Sequence, residues 1–319
     1  MSARGRQILS ILGGGSLFAV LLSFTDWTHL RSAWTTIDIR YLYWALLFYV
    51  VTNVVRAYRF HVLFQGRTKQ LKAFHFIPEM FLLSFINNTL PARSGELSFP
   101  LIMQKRHGIP LQLGFVSLFW ARVADFVAVV LLGTIGLLLS DFTQKLWSHI
   151  EMIMVVLALG GITFGVALTW LFQKRLLTLI QRIITRVAPF DINLFNIEMF
   201  NQEAARRIGA AVLGYSIVQW LLTYAWITSI LHSLGESMGY SSVVFSASLA
   251  ALAKAIPFLS LGNLGAHEMG LGTGLSLTGI SISLAFSYSL LVTLITLALS
   301  AICTGLVELA RFFLLMQNS

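Results

Sequence analysis

Long apolar runs separated by short polar segments dominate this chain. Six of the runs are long enough to cross a membrane as helices, and they cover residues 8–25, 41–60, 111–140, 150–172, 208–234 and 282–310. The first run follows Arg4 and Arg6 and lacks a small-residue cleavage site, so it is interpreted as an uncleaved span rather than a signal peptide. The pattern predicts an all-α polytopic membrane protein with six transmembrane helices in a single membrane domain, residues 1–319.

Two further stretches, 72–110 and 241–280, are apolar but are interrupted by Pro, Gly and polar residues. Lys and Arg concentrate in cytoplasmic segments of membrane proteins, and here they cluster before the first run, after the second and in 174–207. This distribution of basic residues requires that 72–110 leaves the cytoplasm and returns to it, while 241–280 enters the membrane from the opposite face and returns there. We therefore predict two re-entrant helical hairpins, with both termini cytoplasmic.

The order of these segments suggests an inverted repeat. Residues 1–140 form the first repeat and residues 150–311 the second, joined by a cytoplasmic amphipathic linker over 173–207. Interrupted segments at corresponding places in two halves are typical of transporters whose binding site lies near the membrane midplane. Irregular backbone at that depth needs protein or a watery cavity around it, so the hairpin tips are expected to line a cavity.

Composition narrows the classes of function. Hydrophobic residues make up 57% of the chain and charged residues 11%, against roughly 25% charged in soluble domains. The chain has a net charge of +9, and its basic residues lie at the ends of apolar runs. This placement favours roles in membrane orientation and in contacts with lipid head groups over binding of nucleic acid. With one cysteine and no ligand cluster at metal spacing, we expect no metal site and no cofactor.

The tip of the first predicted hairpin carries candidate binding residues. Pro91 suits the first position of a returning helix, with Asn88 or Thr89 as its cap. Arg93 offers a fork of donors suited to phosphate beside that helix start. Glu96 either completes this site or pairs with Arg93 to close the hairpin.

Arg122 and Asp125 interrupt the third run three residues apart, so they share one helical face. Exposing either charged side chain to lipid would cost free energy, so the helical face that carries them should point toward the interior of the protein. They can pair with each other, or Arg122 with Glu96 and Asp125 with Arg93. A substrate-binding role and a buried scaffold role are both open.

The second hairpin holds a comparable set around two glycines, which permit sharp turns and close approach of a ligand. Glu268 is a candidate proton carrier or a helix cap, His267 a titrating or a packing residue, and Lys254 a phosphate contact or a snorkelling side chain. The set consists of Lys254, Gly262, Asn263, Gly265, His267 and Glu268.

Two stretches resemble the motifs of a known family. "LPARSGELSFPLIMQKRHGIPLQLGFVSLFWARVADF" and "AIPFLSLGNLGAHE" are similar to the two signatures of the lysylphosphatidylglycerol synthase transmembrane, or flippase-like, family. The resemblance implies movement of aminoacylated or glycan-linked lipids between leaflets. It also implies a central site of Pro91, Arg93, Gly95, Glu96, Arg122, Asp125, Gly262, Gly265 and Glu268.

Two departures from the family pattern qualify that expectation. His267 stands where the family usually has Arg. No soluble aminoacyl-transfer domain follows the membrane region up to Ser319, so synthesis of an aminoacyl lipid is not expected.

Taken together, the sequence predicts a non-enzymatic flippase or scramblase in the inner (plasma) membrane of a bacterium or archaeon, moving an anionic or polyprenyl-phosphate-linked lipid. One alternative is an intramembrane enzyme that modifies lipid head groups with Glu96 and Asp125 as acid and base. Another is an accessory subunit that presents lipid to a glycosyltransferase or another lipid-modifying enzyme.

Overall fold

A computed structural model describes residues 37–64, 71–90, 95–140, 202–254, 260–261 and 264–317, and the isolated positions Ser23 and Thr28. The predicted span 150–172, nearly all of the span 8–25 and most of the linker 173–207 lie outside the described residues. The elements in chain order are α1 (Ile39–Phe64), a 3-10 turn (Ala73–Phe76), α2 (Ile77–Thr89), α3 (Ser98–His107), α4 (Leu111–Leu139), α5 (Gln202–Ser233), α6 (Tyr240–Ala253), β1 (Ser260–Leu261), β2 (Leu264–Gly265), α7 (Ala266–Leu277) and α8 (Ile282–Gln317).

Long helices occupy the four predicted spans that fall within the described ranges. Three of them are long and apolar enough to cross a membrane, over Leu111–Leu139, Arg207–Ser233 and Ile282–Leu314. The fourth, α1, has 26 residues and a length of about 39 Å at 1.5 Å per residue. It is less apolar because Asn53, Arg56 and Arg59 lie along one side of it. These helices have the lengths and composition expected of a membrane protein.

Both interrupted stretches fold as a helix, a break and a second helix. In the first, α2 and α3 have 13 and 10 residues, and in the second, α6 and α7 have 14 and 12. At 1.5 Å per residue even the longest reaches only about 21 Å, short of the roughly 30 Å hydrocarbon core. None of the four can cross alone, which is compatible with a re-entrant hairpin. That the two stretches re-enter the membrane, and from which side, stays a prediction.

The expected cap of the returning helix was wrong. Asn88 and Thr89 lie in the last turn of α2, where the Thr89 hydroxyl donates to the Phe85 carbonyl at 2.8 Å. The returning helix begins at Ser98 after a 3-10 turn at 95–97, with Leu97 at its N-cap. Polar side chains at the end of a mainly apolar helix can be held by its last carbonyls as readily as they can cap the next helix.

A two-residue β pair is a second departure from the purely α-helical prediction. Ser260 pairs with Gly265 and Leu261 with Leu264 in antiparallel register. Backbone inside a protein must satisfy its N–H and C=O groups. In the break of the second hairpin, the short β pair satisfies part of these backbone groups.

The element order of the two halves corresponds. In each, a long helix (α1 or α5) precedes two short ones and a second long helix (α4 or α8). The halves also interlock, because α1 packs along α5, α2 against α8, and α6 against α4. The predicted inverted repeat, 1–140 and 150–311, stays a prediction.

Two apolar clusters stabilise the bundle. The first lies within α1–α4 and stacks aromatic rings, with the Phe60 and Phe99 centroids 4.3 Å apart. The second is built chiefly from α5, α6, α7 and α8 and includes Tyr224, Leu271 and Leu291. Polar residues collect where helices from the two clusters meet.

Candidate functional site: a polar cavity between the hairpins

A cavity of about 190 Å³ lies between the two hairpins and the long helices. Its wall combines carboxylates, cations, amides and hydroxyls with aromatic rings. Polar groups enclosed by apolar helices need partners from the protein, from water or from a ligand. The cationic, carboxylate and imidazole side chains of the wall are Arg56, Glu96, Arg122, Lys254, His267 and Glu268.

Arg122 joins the first hairpin to α4 through two carboxylates. Its Nε donates to Glu96 Oε2 at 2.9 Å, and its Nη1 donates to Asp125 Oδ2 at 3.0 Å. The predicted Arg122–Asp125 and Arg122–Glu96 pairings therefore both occur. Because two carboxylates neutralise Arg122, it is less available to a phosphate than the sequence suggested.

Asp125 has a further cationic partner that the sequence did not reveal. Arg59 of α1 donates to its Oδ1 and to Ser216 Oγ, the latter at 2.9 Å, and the Trp220 indole also donates to Oδ1 at 3.2 Å. The Arg59 side chain is 1% exposed. These contacts tie α1, α4 and α5 together behind the cavity wall, so Asp125 occupies a scaffold position.

Arg56, one turn before Arg59, lines the cavity itself. Its Nη1 donates to Ser84 Oγ and lies 3.4 Å from Asn53 Oδ1, while Ser84 also donates to Asn53 at 2.7 Å. Its Nε is buried and lacks a hydrogen-bond partner. Within the described ranges every hydrogen-bond partner of Arg56 is neutral.

Sequence reasoning assigned Arg56 and Arg59 only to the membrane orientation, because basic residues at the end of an apolar run fit the positive-inside rule. The available signal was their spacing: Asn53, Arg56 and Arg59 recur every three residues and share a face of α1. The aromatic wall of the cavity, Tyr49, Trp220 and Trp226, was also missed, since aromatic residues are common throughout this chain.

Glu268 caps the helix that follows the second break. Its Oε2 accepts the Gly265 N–H at 2.6 Å, and its Oε1 accepts the Thr293 hydroxyl at 2.6 Å. Gly265 has a φ of 114° and a ψ of −78°, a conformation that favours glycine. The hydrogen bonds match the capping alternative for Glu268, with its carboxylate held against the cavity wall.

Lys254 and His267 approach the same space from the two ends of the second break. Lys254 ends α6, and both residues line the cavity. The His267 Nδ1 lies 3.8 Å from Glu268 Oε1 and 3.4 Å from the Thr293 hydroxyl. The second hairpin thus brings a lysine and an imidazole beside a carboxylate that is already bound.

Of the other predicted residues, Asn88 lines the cavity. Gly95 lies where a Cβ would meet the Ile86 backbone at 2.9 Å, so the 3-10 turn packs closely on α2. Pro91, Arg93, Gly262 and Asn263 lie outside the described residues. No group of three or more His, Cys, Asp or Glu side chains that could hold a metal ion occurs in the described part of the chain.

Apolar long helices around a charged cavity, closed by two interrupted hairpins, define an integral membrane protein with a polar interior site. The family model for the lysylphosphatidylglycerol synthase TM region matches residues 7–303. The chain belongs to this family, which confirms the resemblance found in its motifs.

A distant relative aligns with nearly the whole of this chain. The UPF0104 membrane protein PH1989 of Pyrococcus horikoshii is 22% identical over 339 residues, an alignment that covers 98% of this chain and 100% of the relative. Its name describes a membrane protein and states no activity.

Proposed function

We propose that this protein moves a phosphate-bearing lipid between the leaflets of a membrane, as a flippase or scramblase without catalytic chemistry. The observation that supports it is the cavity, in which charged and hydroxyl side chains from both hairpins meet inside a bundle of apolar helices. On this proposal the protein works in the inner (plasma) membrane, with both termini in the cytoplasm as the basic residues predict.

The physical need for such a cavity is desolvation. A charged head group cannot enter hydrocarbon without losing strong contacts with water, at a cost of many kcal/mol. Side chains such as Asn88, Thr223 and Lys254 in the wall can replace part of that hydration while the acyl chains remain in lipid. The cavity therefore lowers the barrier that an unassisted lipid faces.

Alternating access follows from the interlocked halves. α2 packs on α8, and α6 packs on α4, so a rocking of one half against the other would loosen one hairpin while it tightens the other. Motions of this kind are general among transporters built from repeats.

The enzyme alternative is less well supported by the geometry. A general acid and base must be able to exchange protons with a substrate. Glu96 is paired with Arg122, and Asp125 accepts hydrogen bonds from Arg59, Arg122 and the Trp220 indole. Neither carboxylate is poised for that exchange, and a lipid mass spectrum unchanged after incubation with the protein is the expected result.

Leaflet-specific quenching of a labelled phospholipid in proteoliposomes tests the proposal. The purified protein is expected to move label to the quencher faster than protein-free vesicles do. Ala251→Trp fills the cavity without changing its charge and is expected to abolish this movement. Ala301→Trp is the matched control, because Ala301 lies exposed on α8 and the same change there should leave movement intact.

Two results would contradict the proposal. Folded wild-type protein that moves no lipid faster than empty vesicles would favour the accessory-subunit alternative. Equal movement in the Ala251→Trp and wild-type proteins would show that lipid passes elsewhere, for instance along the protein–lipid boundary.

A further inference from the structure

We infer that Arg56 binds the phosphate of the transported head group, and that this head group carries hydroxyls and no ammonium. The inference deepens the proposed function and rests on it for the lipid nature of the ligand. It concerns a residue outside both sequence motifs and narrows the substrate to a hydroxylated anionic phospholipid.

Of the two described arginines of the wall, Arg56 is the one whose hydrogen-bond partners are all neutral. It contacts Ser84 and Asn53, and its Nε is buried without a hydrogen-bond partner. A guanidinium is always charged and offers donors in a planar fork that matches phosphate. A partly buried cation without a hydrogen-bonded anion is unfavourable, and an anionic ligand in the cavity lowers that penalty.

Arg122, the other described arginine of the wall, is less available for this role. Arg122 is held by Glu96 and Asp125 at 2.9 and 3.0 Å. Its donors would have to leave two carboxylates before they could bind phosphate. Of the two described arginines of the wall, Arg56 is therefore the better placed to bind a phosphate that enters the cavity.

The carboxylates argue against an amino head group. Glu96 is bound by Arg122, and Glu268 is bound by the Gly265 N–H and the Thr293 hydroxyl. Each carboxylate of the wall within the described ranges already accepts hydrogen bonds from the protein. An aminoacylated phospholipid would also bring a cation into a wall that holds Arg56 and Arg122.

Neutral acceptors in the wall point to hydroxyls instead. Asn87 Oδ1 and Gln219 Oε1 are buried without hydrogen-bond partners, as is the Tyr49 hydroxyl, and all three side chains line the cavity. Buried polar atoms normally have partners. Hydroxyls of a glycerol or sugar would donate to the two amide oxygens while the phosphate accepts from Arg56.

Lipid binding to the purified full-length protein in detergent, followed by native mass spectrometry, tests the inference without any transport step. The probes are phosphatidylglycerol, lysylphosphatidylglycerol and an uncharged glucosyl diacylglycerol. Wild-type protein is expected to bind phosphatidylglycerol about tenfold or more tightly than either of the others, since hydrogen bonds to charged groups contribute that much. Tighter or equal binding of the lysyl lipid would overturn the exclusion of an ammonium group.

Arg56→Gln assigns the effect to one side chain. It is expected to weaken phosphatidylglycerol binding about tenfold and to leave glucosyl diacylglycerol binding unchanged. Arg40→Gln, a change of the same type at a side chain that is 85% exposed, should bind all probes as wild type does. Undiminished phosphatidylglycerol binding by Arg56→Gln would overturn the assignment.

The two proposals fail in different ways. If wild type binds phosphatidylglycerol through Arg56 but moves no lipid in proteoliposomes, the binding inference stands and translocation fails. If wild type moves lipid and Arg56→Gln moves and binds it equally well, translocation stands and the inference fails. Free glycerol phosphate that displaces the lipid at equal concentration would keep Arg56 as the anion site and overturn the lipid as its ligand.

Discussion

Arg59 and Asp125 show how single residues keep charge inside this bundle. Both side chains are almost fully buried, and Asp125 also accepts from Arg122 and from the Trp220 indole. Arg59 and Asp125 each have an opposite charge and a neutral donor or acceptor as partners. The group therefore fixes three helices relative to one another, even though it lies behind the cavity.

Arg59→Met is expected to destabilise the protein, because it leaves Asp125 buried with one cationic partner in place of two. Breaking a buried pair costs about 3–5 kcal/mol, and the remaining Arg122 contact places this case near 3 kcal/mol. Chemical unfolding in detergent measures the change. Arg40→Met, at an exposed pair with Asp38, is the control and should leave the unfolding midpoint unchanged.

Gly265→Ala is expected to lower the free energy of unfolding by about 1–3 kcal/mol, since a φ of 114° strains any residue with a Cβ. The same unfolding measurement applies. Gly305→Ala is the control, because Gly305 lies inside α8 with nothing near its missing Cβ and alanine favours a helix. An equal loss at both positions would contradict the strain argument.

At the residue scale, the sequence could identify charged residues of the candidate site when their partners are close in the chain or when they lie in a motif. Arg122 and Asp125 were recognised by their spacing, and Glu96 by its place beside a helix break. Arg56 and Arg59 were not, because a basic residue at the end of an apolar run serves orientation and a buried network equally well. Only the packing of α1 against α4 and α5 separates the two roles.

At the scale of elements, an ionic cluster joins the first hairpin to the last helix. Glu79 at the start of α2 lies 3.0 Å from His107 Nε2 and 3.0 Å from Arg311 Nη1, while Arg106 pairs with Glu308 at 2.8 Å. The cluster therefore connects α2 and α3 to α8. The basic residues predict that this end of the bundle faces the cytoplasm.

Glu79→Gln is expected to destabilise the protein by about 3 kcal/mol or more, since it leaves Arg311 and His107 without their buried anion. Glu308→Gln, at a carboxylate whose side chain is 31% exposed, should cost about 1 kcal/mol or less because solvent screens exposed pairs. Unfolding in detergent compares the two variants. A larger effect at Glu308 than at Glu79 would contradict the importance of the buried cluster.

The long helices could be predicted wherever the chain contains a long apolar run. The run at 111–140 became α4 (Leu111–Leu139) and the run at 282–310 began α8 at Ile282, because long apolar stretches leave little choice in a membrane. Details of the breaks were not predictable. The end of α2 at Thr89 and the pairing of Leu261 with Leu264 depend on contacts between segments that a single sequence does not show.

At the scale of the whole molecule, two hairpins of short helices and the long helices between them enclose a polar cavity. The order of long and short helices within the described ranges could be predicted from the positions of Pro and Gly between apolar runs. The cavity wall could not be predicted in full, because it draws on α1, α5 and α8 as well as on the hairpins.

The central claim is that the two hairpins enter the membrane from opposite sides. Labelling single cysteines with an impermeant maleimide, in oriented vesicles of a Cys303→Ala background, tests it most directly. Phe74→Cys and Gln104→Cys flank the first hairpin, and Ser237→Cys and Ser281→Cys flank the second, all at exposed positions.

The account predicts that the first pair reacts only from the cytoplasmic side and the second pair only from the opposite side. Labelling of both pairs from one side would contradict it, as would labelling of the two ends of either hairpin from different sides.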